Sequence, residues 1–361
     1  MRVLGFSFTV GLVLIYSAHA LQYTITDLGT LGGTSSYALG MNSAGHIVGY
    51  STTSSGDTRA FFWDGISMTN LGTLGGTFSQ AMDINDSGLI VGRSYDGSGV
   101  MHAFSYNGSM TDIGNLGGYG YAEAWGVNNS GQITGISNVD GIPGHNHSFF
   151  YDGSMVDLGT SGSNFSMGFN INASGHIAGM STTAGGDFRA FYWDGSTYTT
   201  IGTLGGTMSI AGSLNDSGVV AGMSTNASGE HRLFIWNGTM TDLGGILNQS
   251  LFSAPNDINN LGQIVGIVYG QGAFLYDSGL GIIDLNSVPG IANSIWSDGT
   301  DWYIGDAYEI NDSGQISATA FSRLTGATRA LLLTPVPEPS TWVSMGMGLV
   351  LLGATVWRRW R

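Results

Sequence analysis

Residues 286–303 interrupt an otherwise regular sequence, and toward the end of that insertion stand Trp296, Asp298, Asp301, Trp302 and Tyr303. Aromatic rings stack on the apolar faces of sugars while carboxylates accept hydrogen bonds from sugar hydroxyls, so these five are the candidate ligand-binding residues. The same residues also suit an extra hairpin that packs its aromatics on the body of the protein. A second irregular place is His145-Asn146-His147, preceded by Gly141-Ile142-Pro143-Gly144. Two histidines at i and i+2 could share a metal, but no matching acidic cluster follows them, and no metal is assigned.

Other reactive residue types recur at regular intervals, which argues for structural roles. Arg59, His102, His147, Arg189, Arg232 and Arg329 open equivalent segments, and Asp27, Asp112, Asp157, Asp242 and Asp284 share a second recurrent position. One reading is a cationic rim for acidic glycans; the favoured reading is a set of structural ion pairs. Asp83-Ile84-Asn85-Asp86-Ser87-Gly88 has oxygen ligands at alternate positions, as a calcium loop would. Its other copies, such as Asn42-Ser43-Ala44-Gly45 and Asn172-Ala173-Ser174-Gly175, lack the acidic ligands, so a plain turn is expected. The Asn-x-Ser/Thr sequons at Asn107, Asn226 and Asn237 arise from the same kind of turn. There is no nucleophile elbow, phosphate loop or HExxH motif. Aspartates are so numerous in the repeats that choosing two as acid and base would be arbitrary. No catalytic residue and no cofactor is assigned.

The elements that must carry these residues are short strands. Residues 73–114 serve as the template: a first strand leaving through residues 82–85, a second at 89–94, a third at 102–106 and a fourth at 110–113, each followed by a turn signal. The turn after the first strand recurs at Asn42, Asn85, Asn128, Asn172, Asn215, Asn259 and Asn311, at intervals of 43 to 52 residues. Each copy has a glycine two or three residues later, where a tight turn needs positive φ. The third strand repeats as Arg59-Ala60-Phe61-Phe62-Trp63 and five similar copies, then as Arg329-Ala330-Leu331-Leu332-Leu333. Its third and fifth positions share a face under the strand period of two. Burying two rings per repeat removes about 300–500 Å² from water, enough to hold neighbouring repeats together.

Four strands in about 43 residues, seven times over, is the pattern of an all-β, seven-bladed β-propeller. The last repeat lacks a fourth strand, whereas the start of the mature chain supplies an orphan one at residues 23–29. Joining the two closes the ring and hides two sheet edges. The chain carries 60 glycines among 361 residues, yet 42% of residues are hydrophobic, which favours folded β structure over disorder. With no cysteine, disulfides, thiolate catalysis and cysteine-based metal sites are excluded. A formal charge of −15 disfavours nucleic acid as a partner.

Both ends read as addresses. Arg2, an apolar run from residue 3 to 16, and Ala18-His19-Ala20 make a signal peptide over residues 1–20. At the other end, Val336-Pro337-Glu338-Pro339 precedes an uncharged stretch at 342–357 and then Arg358-Arg359-Trp360-Arg361. As a helix that stretch would cover about 24 Å, slightly less than a hydrocarbon core of about 30 Å. Motif, marginal span and basic tail resemble the PEP-CTERM sorting signal of bacterial exported proteins. The resemblance implies processing by an exosortase-type enzyme, a membrane helix held before processing, and a final place at the cell surface or outside the cell. The Leu-Gly-Thr-Leu-Gly-Gly-Thr connector at 28–34 and 71–77, with His102-Ala103-Phe104, resembles the extracellular HAF-repeat family over residues 23–335. That family supplies no catalytic residues. The domain plan is therefore a signal peptide at 1–20, a propeller at 21–335 and a sorting region at 336–361. The functional expectation is an exported, non-catalytic binding or structural module associated with exopolysaccharide or envelope proteins. A polysaccharide-acting hydrolase or lyase is the alternative.

Overall fold

The first six repeats are antiparallel meanders of four strands and the last has three of its own, and the glycine-marked turns dictate where the strands end. The computed structural model describes residues 21–245, 253–291 and 301–337. In the template repeat the strands are Gly75–Ile84, Ile90–Asp96, Met101–Tyr106 and Met110–Asp112. The second, third and fourth agree with the sequence expectation to within two residues. The first starts earlier than expected, inside the Leu-Gly-Thr-Leu-Gly-Gly-Thr connector, because that connector is tied to its own sheet. Thr73 Oγ1 donates to the Gly76 carbonyl, Ser79 Oγ to that of Gly72, and the Leu74 amide to Ser94 Oγ.

The sheets group as one of 12 strands, one of 8 and two of 4, and none closes on itself. Tyr23–Asp27 pairs antiparallel with Thr328–Pro335, running from Tyr23 opposite Pro335 to Asp27 opposite Leu331. Further contacts seat this strand: the Tyr23 amide donates to the Pro289 carbonyl, the Val336 amide to that of Gln22, and Tyr23 Oη to that of Gly314.

Packing between repeats follows one rule. The third-position phenylalanines Phe61, Phe104, Phe149, Phe191, Phe234 and Phe274 are fully buried. Phe104, for example, packs with Val48, Ala60 and Leu71 of the preceding repeat. Their fifth-position partners, such as Tyr106 and Tyr151, are part-buried at the edges of these cores, except Trp63, which is buried. Opposite each phenylalanine the second strand has glycine. A Cβ built at Gly92 would stand 2.9 Å from the Phe104 ring, and one at Gly179 would stand 2.7 Å from Phe191. In the last repeat the ring becomes Leu331 and the glycine becomes Ala318, which lies directly across the ladder. The pair changes size together, as close packing requires.

Among the described residues no helix is long and apolar enough to cross a membrane. The signal segment at 1–20 and everything from Glu338 onward, including the apolar stretch at 342–357, lie outside the described residues.

Candidate functional site in the axial channel

Every first strand carries a β-bulge shortly before its turn asparagine, shown by the register shift between Ala81 and Asp83 and by its counterparts in the other six. A bulge adds one unpaired residue and re-aims its side chain. The residues so re-aimed are Leu39, Met82, Trp125, Phe169, Gly212, Asn256 and Tyr308, and all seven line one cavity of about 330 Å³. A second cavity of about 290 Å³ is lined by the seven turn asparagines, and the two share Glu309. The repeats thus surround a common axis with a polar mouth above a mainly apolar chamber.

The mouth is built by the asparagines. Within its own turn Asn85 Oδ1 accepts from the Ser87 and Leu89 amides, and its Nδ2 donates to the Asn128 carbonyl of the next repeat. Six such links join Asn42, Asn85, Asn128, Asn172, Asn215, Asn259 and Asn311 in sequence, at 2.9–3.3 Å. The calcium-like loop is a turn of this kind. Asp83 Oδ2 accepts from the Val127 amide, whereas Asp86 binds the Ser43 amide and Asn129 Nδ2, so the two carboxylates serve different neighbours.

Below the asparagines lies an acidic collar. Two residues before the turn the repeats carry Gly40, Asp83, Gly126, Asn170, Ser213, Asp257 and Glu309. Asp257 accepts from the Ile310 amide and Ser213 Oγ. Glu309 accepts from the Met41 amide of the first repeat and is hydrogen-bonded to Asp83 across Gly40, which has no side chain to intervene. All three carboxyls are part-buried and line the axial cavity. Burial raises Asp83 to about 6, raises Asp257, and lifts Glu309 well above the usual range with the added repulsion of Asp83.

The chamber wall breaks the repeat symmetry. One cross-strand pair per repeat stands beside the axis: Tyr37–Tyr50, Gln80–Arg93, Glu123–Ile136, Met167–Met180, Ile210–Met223, Ala254–Ile267 and Asp306–Thr319. The fourth, fifth and sixth are apolar, whereas the last and the first three carry polar groups. Arg93 pairs with Glu123 at 2.8 Å and donates from Nε to Gln80 Oε1, and Tyr121 Oη also donates to Glu123. Tyr37 stacks on Tyr50 with ring centroids 4.5 Å apart. Asp306 is 8% exposed; its Oδ2 accepts a long 3.4 Å bond from Tyr308 Oη, and its Oδ1 has no partner. Burial raises it to about 6.

Asp306, Tyr308, Tyr303, Phe321, Tyr269 and Asn256 border a further cavity of about 390 Å³ between the sixth and seventh repeats. Of the five residues singled out from sequence, Tyr303 reaches this cavity, where it stacks on Phe321 with ring centroids 5.8 Å apart. Trp302 turns to a hydrophobic core and lies under the Arg329 guanidinium at 5.8 Å. Asp301 pairs with Arg323 at 3.2 Å on the exposed surface. Trp296 and Asp298 lie outside the described residues. The foot of the insertion is pinned by Asn286, which donates to the Ile304 carbonyl and accepts from its amide. Asp306 and its neighbours escaped sequence reading, although comparing equivalent repeat positions exposes them: only this repeat places an acid opposite threonine.

The other candidates are dispersed. His145 Nδ1 lies 2.9 Å from Asp140 and His147 Nδ1 lies 2.9 Å from Asp157, so the two rings address different carboxylates. In the cationic series, His102, His147 and Arg232 lie 2.8–3.0 Å from Asp112, Asp157 and Asp242, and Arg329 is 3.9 Å from Asp27. Arg59 and Arg189 use Asp57 and Asp187 instead, because their fourth strands carry Asn70 and Thr200 at the acidic position.

Four-stranded meanders grouped about an axial cavity define a propeller-like all-β protein. Comparison with solved structures agrees. The β-propeller domain of the trilobed protease from Pyrococcus furiosus is similar at 10% identity, over 83% of this chain and 93% of that one, with a TM-score of 0.51. A putative TolB from Agrobacterium tumefaciens is 15% identical over 63% of this chain and 90% of that one, with a TM-score of 0.44. The six-bladed fungal lectin of Aleuria aurantia is 15% identical over 76% and 98%, with a TM-score of 0.39. The first likeness speaks to fold alone. No curated protein matches the sequence. Residues 335–359 match the PEP-CTERM protein-sorting motif, which indicates an exported protein bearing a C-terminal sorting signal.

Proposed function

We propose that this chain is an exported, non-catalytic binding module of the cell surface or exopolysaccharide matrix, built as a closed seven-bladed propeller of HAF-type repeats. The N-terminal strand completes the last blade, and an exosortase-type enzyme processes the C-terminal signal. Supporting the ring are the contact of Glu309 with Met41 and the shared core of Phe61 with Ala330 and Leu332, both of which join the last repeat to the first. The observation that carries the binding reading is the break in symmetry beside the axis. The buried Glu123 of the third repeat is paired with Arg93, whereas the seventh repeat places a buried carboxylate with an unpartnered oxygen among Tyr303, Tyr308 and Phe321, the equipment for stacking a sugar ring and accepting from its hydroxyls.

The test is binding of the purified protein to extracellular polysaccharide from the producing cells. Retention should drop several-fold for Tyr303→Ala while the far-ultraviolet spectrum stays unchanged. Wild-type retention no better than background sinks the binding reading. The alternative, a polysaccharide-acting hydrolase or lyase, draws on the elevated Asp306 carboxyl, which is suited to proton transfer near neutral pH. New reducing or unsaturated ends that disappear in Asp306→Asn would favour it.

A further inference from the structure

Asp306 is a carboxylate without a counterion. Its Oδ1 is buried and unpartnered, and no described cation pairs with it. Arg93 is committed to Glu123 and Gln80, and Arg323 to Asp301, with its guanidinium 4.7 Å from the centre of the Tyr303 ring. Burying a lone charge is costly unless something else supplies the opposite sign. Beside it runs a continuous aromatic wall, with Tyr303 stacked on Phe321, Phe321 edge-on to Tyr37 at 6.1 Å, and Tyr37 stacked on Tyr50. Ring faces carry negative quadrupole charge and attract ammonium groups as well as sugar faces. A neutral sugar would satisfy the lone pair on Oδ1 but leave the charge uncompensated. An acidic sugar would meet Asp306, the collar acids and a chain of net charge −15.

We propose that this cavity binds a sugar residue bearing a free amine, the ammonium lying between Asp306 Oδ1 and the aromatic faces while the sugar ring stacks on Tyr303. The assignment rests on the glycan-binding reading above and narrows it to amino sugars within a polysaccharide. Three ammonium hydrogens provide one charged bond to Oδ1 and leave others for hydroxyl or carbonyl acceptors.

Calorimetric titration of the full-length protein with glucosamine oligomers, their N-acetylated counterparts and neutral glucose oligomers tests this. N-acetylation removes the charge while keeping the ring, so the free amine should bind about tenfold tighter than its acetylated form. Asp306→Asn should abolish that preference, with an unchanged far-ultraviolet spectrum reporting an intact fold. Equal affinity for all three oligomers, unaffected by Asp306→Asn, overturns the amine assignment and leaves glycan binding standing. No binding of any of them by the wild type also overturns the amine assignment, whereas the glycan-binding reading falls only if retention on the producing cells' polysaccharide is lost as well.

Discussion

At the scale of single residues, the glycine facing each third-strand phenylalanine shows how closely two positions can constrain each other. Gly92 has no room for a Cβ because the Phe104 ring and the Gln80 carbonyl oxygen already occupy the space. Gly92→Ala should therefore cost about 1–3 kcal/mol through overpacking, read as a lower urea midpoint with unchanged m-value. Adding Phe104→Leu copies the Ala318–Leu331 pair of the last repeat and should recover part of that loss. The double variant is expected to be more stable than the sum of the singles by at least about 0.5 kcal/mol. Rescue is partial because Phe104→Leu relieves only the ring contact and leaves the Gln80 carbonyl oxygen against the added Cβ. The size pairing can be read from the repeats as written, but its cause cannot, since Gly92 and Phe104 meet only after the ladder has set its register.

At the scale of elements, Tyr23–Asp27 covers an edge that would otherwise lie open along Thr328–Pro335. An unpaired edge with three consecutive leucines, Leu331 to Leu333, is a template for association with other chains. Removing residues 21–27 should convert a monodisperse protein into higher oligomers or aggregate in light scattering, while the repeats keep most of their strand signal. A monodisperse deletion variant would mean that the strand contributes little. The need for such a strand is legible in the sequence, because the sorting motif directly follows the third strand of the last repeat. The bulge before each turn asparagine is not legible there, because it is a register property of two paired strands.

At the scale of the whole molecule, the collar and the chamber concentrate carboxyl groups whose folded pKa values lie above their unfolded ones. Asp83 and Asp306 reach about 6 from an ordinary 3.8, and Asp257 and Glu309 move the same way. Such groups bind more protons folded than unfolded above about pH 4, so stability falls as pH rises through about 4 to 6 and, through Glu309, continues to fall above that window. The exposed aspartates Asp64, Asp96, Asp140 and Asp194 are held low, mainly by backbone amides, and their contribution is lost only below about pH 4. The urea midpoint should therefore be higher at pH 5 than at pH 7.5. Asp83→Asn, which keeps an acceptor for the Val127 amide, should flatten that difference. A midpoint that rises toward pH 7.5 would show the collar to be ionised at little cost.

The sequence by itself determined the strand pattern, the seven turns, the aromatic third strands and the sorting address, because turn chemistry, period-two alternation and short motifs are local properties of the chain. It also determined that residues 286–303 break the pattern, and it picked out Tyr303. Only the tertiary structure decided that Tyr303 meets Asp306, Tyr308 and Phe321 beside the axis, and that the turn asparagines join repeat to repeat. Those meetings depend on bulges and on packing between repeats. A side chain's neighbours across an axis are set by how seven units are arranged together, which no single unit encodes.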